Sequence, residues 1–142
     1  MTWDETTITV RFNEVDAYQV AWHGHYVGWL EIGRMALARR FGLDPFQLVE
    51  LGFLGPVVQL DLKYLRPARC NDSLTIRTTL EPCETAQLIF SSEIIAPDGS
   101  RLASGRTVHA LTDLDGTLQF RLPEPVTERL VALQRWARGE AS

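Results

Sequence analysis

Alternating apolar and polar side chains predict strands along most of the chain, and one long stretch without alternation predicts a helix. Residues 57–65, VVQLDLKYL, alternate cleanly, with Val58, Leu60, Leu62 and Tyr64 on one side and Gln59, Asp61 and Lys63 on the other. That pattern predicts a strand with one face on a core. Residues 5–12, ETTITVRF, alternate and are rich in Thr, Ile and Val, so they predict a first strand. Residues 73–80 (SLTIRTTL), 87–95 (QLIFSSEII) and 101–113 (RLASGRTVHALTD) predict three more. The Pro-Asp-Gly of APDGS links the last two as a hairpin, and Gly105 inside the final strand marks a bulge or a close neighbour. Residues 23–41 hold neither alternation nor proline and run into Gly42, a residue suited to a helix C-cap, with Arg39 and Arg40 in the last turn. Residues 43–56 predict a short helical or irregular connector, punctuated by Pro45, Gly52, Gly55 and Pro56. After Pro123 and Pro125 a second helix places Val126, Leu130, Leu133 and Ala137 on one stripe.

The long helix is peculiar. Tyr26, Val27, Trp29, Leu30, Ile32, Met35, Ala36, Leu37 and Phe41 set apolar groups nearly all round it, the mark of a buried helix. Gly28 and Gly33 each cost about 1 kcal/mol against Ala, which close approach of another backbone would offset. The expected architecture is α+β: a five-stranded antiparallel sheet curled around this helix, with a C-terminal helix, in a single domain over 1–142. One sheet in one layer leaves part of the helix open to water. A second copy of the chain would cover it, so a homodimer or homotetramer is expected.

Composition narrows the function. Of 142 residues, 45% are hydrophobic and 23% charged, and the net charge is −4, which argues against nucleic acid as a partner. The two cysteines, Cys70 and Cys83, have no paired metal spacing and read as reduced thiols. The first residues, MTWDETTITV, lack the basic stretch and apolar core of a signal peptide, and no apolar run nears the roughly 20 residues of a membrane helix. The expectation is a cytoplasmic protein with no membrane partner and no metal.

Candidate chemistry concentrates in residues 14–31, EVDAYQVAWHGHYVGWLE, where Asp16, His23 and His25 interrupt an apolar, aromatic run ahead of the helix. Asp16 reads as a turn or cap residue, or as a carboxylate serving as general base or nucleophile. A helix amino terminus supplies unpaired N–H groups and about half a positive charge, which suits a developing oxyanion. Trp22 and Tyr26 suit an apolar or aromatic pocket or plain packing. Arg66 and Arg69 read as phosphate contacts or as solvated charge. His109 falls mid-strand, a core or interface position, and Glu31 with Arg34 makes an i,i+3 ion pair.

The run VRFNEVDAYQVAWHGHYVGWLEIGR (10–34), with LDLKYLRPARCNDSLTI (60–76) and GRTVHALTDLDG (105–116), resembles the hotdog-fold acyl-CoA thioesterases, and most of all the 4-hydroxybenzoyl-CoA thioesterase type. The resemblance spans about residues 6 to 120 in the same element order. It implies that Asp16 is the catalytic carboxylate and that the backbone N–H of His23, with Gly24, polarises the thioester carbonyl. It further implies a substrate carried by coenzyme A or acyl carrier protein, with no other cofactor. Gln19 stands where the family usually has Gly, and His25 where it often has Asn. Two rival expectations keep the substrate class: a hotdog dehydratase or hydratase, and a non-catalytic acyl-thioester-binding dimer.

Overall fold

The computed structural model describes residues 1–83 and 85–140. Five strands form one antiparallel sheet: β1 (Asp4–Thr9), β3 (Val57–Tyr64), β4 (Ser73–Leu80), β5 (Gln87–Ile95) and β6 (Arg101–Ala110), in the spatial order β1-β4-β5-β6-β3. A two-residue ladder joins β2 (Phe53–Leu54) to β7 (Thr112–Asp113). Among the described residues three α-helices complete the fold: α1 (His25–Arg40), α2 (Pro45–Glu50) and α3 (Glu124–Ala137). This is the hotdog arrangement expected from the sequence. Among the described residues, no helix is long and apolar enough to cross a membrane.

The sheet presents one apolar face because its registers bring buried residues opposite each other. Ile76 of β4 faces Ile94 of β5, and Ile94 faces Ala103 of β6. All three are fully buried. Onto this face α1 lowers Tyr26, Trp29, Leu30, Gly33, Leu37 and Ala38. A Cβ added to Gly33 would lie 2.6 Å from both Ile76 Cγ2 and Thr78 Oγ1, and one added to Gly105 would lie 2.5 Å from Leu30 Cδ1. These two glycines set how closely helix and sheet meet. Each fully buried large apolar side chain of that seam contributes roughly 1.5–3 kcal/mol.

The structure corrects several sequence expectations. Part of α1 stays open as expected, with Val27, Glu31 and Ile32 exposed, but Gly28, expected at a close approach, has nothing within 4 Å of its would-be Cβ. One layer of strands reaches one face only. The strand at 57–65 forms, but Val58 and Leu60 are 58% and 41% exposed, because β3 is an edge strand while α1 packs chiefly on β1, β4 and β5. The first strand ends at Thr9 rather than residue 12, since residues 12–14 turn into a 3₁₀ segment. The last strand breaks after Ala110, and β7 pairs with β2 instead. The connector at 43–56 contains a helix because Asp44 caps it: Gln47 N–H donates to Asp44 Oδ1 at 2.8 Å, and Asp44 N–H to Gln47 Oε1 at 2.9 Å. The amphipathic stripe Val126, Leu130, Leu133, Ala137 on α3 is buried as expected. The hairpin at residues 96–100 also forms as expected, with Gly99 at φ +87°.

Candidate active site

Residues 14–26 fold into a turn tied at four points. Val15 bridges Ala21, and within that small loop Asp16 N–H donates to the Val20 carbonyl at 3.0 Å and Gln19 N–H to the Asp16 carbonyl at 2.9 Å. Trp22 N–H reaches back to the Glu14 carbonyl at 2.8 Å, and Ala21 N–H reaches across to Ala68 at 2.8 Å. Gln19 sits at φ +63°, the left-handed region where glycine is at ease. The substitution at this position thus keeps the backbone conformation a glycine would adopt.

Asp16 is half-buried, and its Oδ1 accepts Tyr18 N–H at 2.8 Å. Among the described residues its Oδ2 accepts no hydrogen bond. That oxygen is free for water or substrate. His25 N–H donates to the Trp22 carbonyl at 3.0 Å, so α1 begins at His25, two residues later than expected, with Gly24 as its N-cap. The N–H groups of His23 and Gly24 therefore lie just ahead of the helix. Among the described residues neither has an acceptor. A Cβ at Gly24 would fall 2.1 to 2.7 Å from atoms of the Trp22 ring, so a side chain there would displace that ring.

Beside the turn lies a cleft of about 290 Å³, lined by Val20, His23, Tyr26, Tyr64 and Arg66 among others. Asp16 does not line it, but its main chain is one hydrogen bond from Val20, which does. Tyr26 is only 2% exposed; its hydroxyl oxygen accepts Ala68 N–H at 2.9 Å and its ring packs on Trp29 and Tyr64. It shapes the wall from within. Burial raises its phenol pKa. Trp22 is half exposed over the helix mouth, near both the His23 and His25 rings. Arg66 is exposed at the cleft, whereas Arg69 lies on the outer turn with its N–H on Asp72 at 2.9 Å. Glu31 and Arg34 form their ion pair. His109 is a core residue, bonded to Gly55 O and Thr107 Oγ1 at 2.9 Å each, and burial lowers its pKa.

Two residues escaped the sequence reading. Glu14 is 6% exposed and holds the turn to the helix: Oε1 accepts Arg11 N–H at 2.8 Å, and Oε2 accepts Trp29 Nε1–H at 3.3 Å with His25 Nδ1 at 4.0 Å. Asp16 thus shares its turn with a second, buried acid. Tyr64 donates its hydroxyl to the His23 carbonyl at 2.7 Å. An acid two residues before Asp16 was the only available signal for the first; the second joins residues too far apart in sequence to leave one.

Residues 10–130 match the model of the thioesterase-like superfamily. A protein of Synechocystis named as an esterase is 32% identical over 135 residues, 94% of this chain and 81% of its own. A Bacillus subtilis protein named as an acyl-CoA thioesterase is 27% identical over 120 residues, 83% of this chain and 87% of its own. The solved DHNA-CoA thioesterase of Staphylococcus aureus superposes with a TM-score of 0.87 at 21% identity, covering 100% of this chain and 98% of that one, which shows a common fold. With the matched segment running from the start of the acid-bearing turn into the last helix, the chain belongs to the thioesterase-like superfamily.

Proposed function

We propose that this chain hydrolyses an acyl-CoA thioester to the free acid and coenzyme A thiol, with Asp16 as the reacting carboxylate. One observation carries the reading. A single tied turn holds a carboxylate oxygen and, at the mouth of a helix, two main-chain N–H groups that have no hydrogen-bond partner among the described residues. The thioester carbonyl oxygen accepts from His23 and Gly24, and the partial positive charge of the helix start adds to their pull. Asp16 then takes a proton from water as the water adds to the carbonyl carbon, or adds to that carbon itself, in which case water later hydrolyses the Asp16–acyl anhydride to the free acid and restores the carboxylate. The tetrahedral oxyanion collapses, the C–S bond breaks, and the thiolate leaves and is protonated.

The cleft supports a division of labour around this centre. Arg66, on its rim, meets the phosphates of the carrier, with Arg69 further out on the same turn. Trp22 and Tyr26 wall the acyl group. Coenzyme A and acyl carrier protein present the same thioester and phosphopantetheine chemistry to these residues. The exposed apolar edge of β3 adjoins the cleft through Tyr64, so the acyl pocket is completed by a second copy in a homodimer or larger homo-oligomer. A thiol-release screen over short, long and aryl acyl-CoAs tests the activity. Asp16→Asn is expected to lower kcat by about 10²–10⁴, with the melting temperature and the affinity for a non-hydrolysable acyl-CoA thioether nearly unchanged. Near-normal turnover by that variant would sink the assignment.

A further inference from the structure

The peptide between His23 and Gly24 is engaged at one end only. Its carbonyl oxygen accepts the Tyr64 hydroxyl at 2.7 Å, while its N–H, on Gly24, has no acceptor among the described residues. Tyr64 is the last residue of β3, paired with Ala103 of β6, so its hydroxyl is referenced to the sheet rather than to the mobile freedom of a loop. The peptide needs such a reference. Gly24 has no side chain to brace it, and the helix start has no side-chain cap. The Tyr64 ring also stands edge-on to Tyr26, with centroids 4.9 Å apart, and edge-on to His23 at 6.4 Å.

We propose that Tyr64 is a positioning residue for thioester hydrolysis: its hydroxyl holds and polarises the His23–Gly24 peptide so that the Gly24 N–H meets the oxyanion. This rests on the reading of His23 and Gly24 as the oxyanion donors. The physical reason is the shared amide. A hydrogen bond donated to the carbonyl draws electron density from nitrogen and makes the N–H at the other end a stronger donor, an effect of about a tenth to a third of a bond's strength. It also fixes the amide plane before substrate arrives, and preorganised donors are worth most where charge develops. Burial raises the Tyr64 pKa, so the phenol keeps the proton it donates throughout the neutral range. Tyr64 touches no reacting atom in this scheme; it acts through the peptide.

The test removes one oxygen. Tyr64→Phe keeps the ring and its packing, and kcat is expected to fall about 5- to 50-fold, less than the 10²–10³ seen when an oxyanion donor is lost outright. KM is expected to change less than about twofold, because the interaction strengthens only as the oxyanion forms. Two inhibitors separate positioning from mere structure. Affinity for a trifluoromethyl-ketone analogue of acyl-CoA, which adds water or a nucleophile to give an oxyanion, is expected to fall in step with kcat. Affinity for the acyl-CoA thioether, which forms none, is expected to hold. Unchanged kcat in Tyr64→Phe overturns the proposal, and so does an equal loss of affinity for both inhibitors. If instead the wild-type chain releases thiol from no acyl thioester, the failure lies in the proposed function and not in Tyr64.

Discussion

Both carboxylate oxygens of Glu14 are occupied, Oε1 by Arg11 and Oε2 by the Trp29 indole, and the residue is almost fully buried. Burial alone raises a carboxyl pKa; here the hydrogen bonds from the Arg11 backbone, the Arg11 side chain and Trp29 outweigh it and leave Glu14 below its ordinary value of 4.5. A carboxyl whose folded pKa is depressed stabilises the fold above its unfolded pKa and loses that contribution as pH falls through the folded one. Glu14→Gln keeps the shape but turns one acceptor into a donor facing donors. It is expected to destabilise the protein by about 1–3 kcal/mol at neutral pH. The gap between wild type and variant is expected to narrow as pH falls below 4.5. Urea unfolding at pH 7 and at successive acidic values checks both. A pH-independent gap would mean that the charge on Glu14 contributes nothing. Gln19 belongs to the same scale. Its left-handed backbone costs about 1 kcal/mol for a residue with a Cβ, and the flanking hydrogen bonds of the 16–20 loop hold it there.

The two glycines of α1, equivalent as letters, are opposite as neighbours. A methyl at Gly33 collides with Ile76 and Thr78, while one at Gly28 meets nothing within 4 Å. Gly28→Ala is expected to stabilise the protein by up to about 1 kcal/mol through helix propensity. Gly33→Ala is expected to cost about 1–3 kcal/mol, because the gain in propensity is overrun by lifting the helix off β4. Denaturant midpoints for the pair check the signs; a stabilised Gly33→Ala would mean that the seam yields more readily than its geometry implies. The same contrast explains which parts of the fold were legible in sequence. Alternation located β3 at 57–65 almost to the residue, because period two is a property of the chain itself. It misjudged what covers that strand, because alternation tells which residues share a face and not what lies opposite. Likewise the apolar ring around α1 was visible, and a single layer of strands implied that part of it stays open, but not that Gly28 would lie on the open side and Gly33 on the packed one. In the turn, Asp16 stood out as an acid within an apolar run, yet Glu14 did not, since a buried acid and a surface acid are written alike. The Tyr64–His23 bond joins residues 41 apart and has no local signature.

At the scale of the whole molecule, two unfinished surfaces remain. One edge of the sheet is β3, paired only to β6 among the described strands, with Val57, Val58, Leu60 and Tyr64 exposed along it. The outer face of α1 leaves Val27 and Ile32 open. A long apolar edge with unpaired N–H and C=O groups is a template for another strand, and natural proteins blunt such edges unless they use them. β3 has Lys63 and Asp61 but no proline and a bulge only near its start, between Val57 and Gln59. A second copy laid along it satisfies the edge symmetrically, since a two-fold axis brings the same strand to itself. In the proposed dimer it would also bring a partner wall to the cleft that Tyr64 borders. Val58→Lys with Leu60→Lys tests this. The double change removes four apolar side chains from a symmetric pair, each already part-buried, at roughly 3–6 kcal/mol, or two to four powers of ten in dissociation constant. Like charges then face each other across the axis. Sedimentation at micromolar concentration is expected to show dimers or tetramers for the unmodified chain and monomers for the variant. Circular dichroism is expected to hold, because both side chains are exposed in the single chain. Thiol release is expected to fall with the loss of the partner wall. A monomer that keeps full turnover would put the whole pocket within one chain, and an unchanged oligomer would move the interface away from β3.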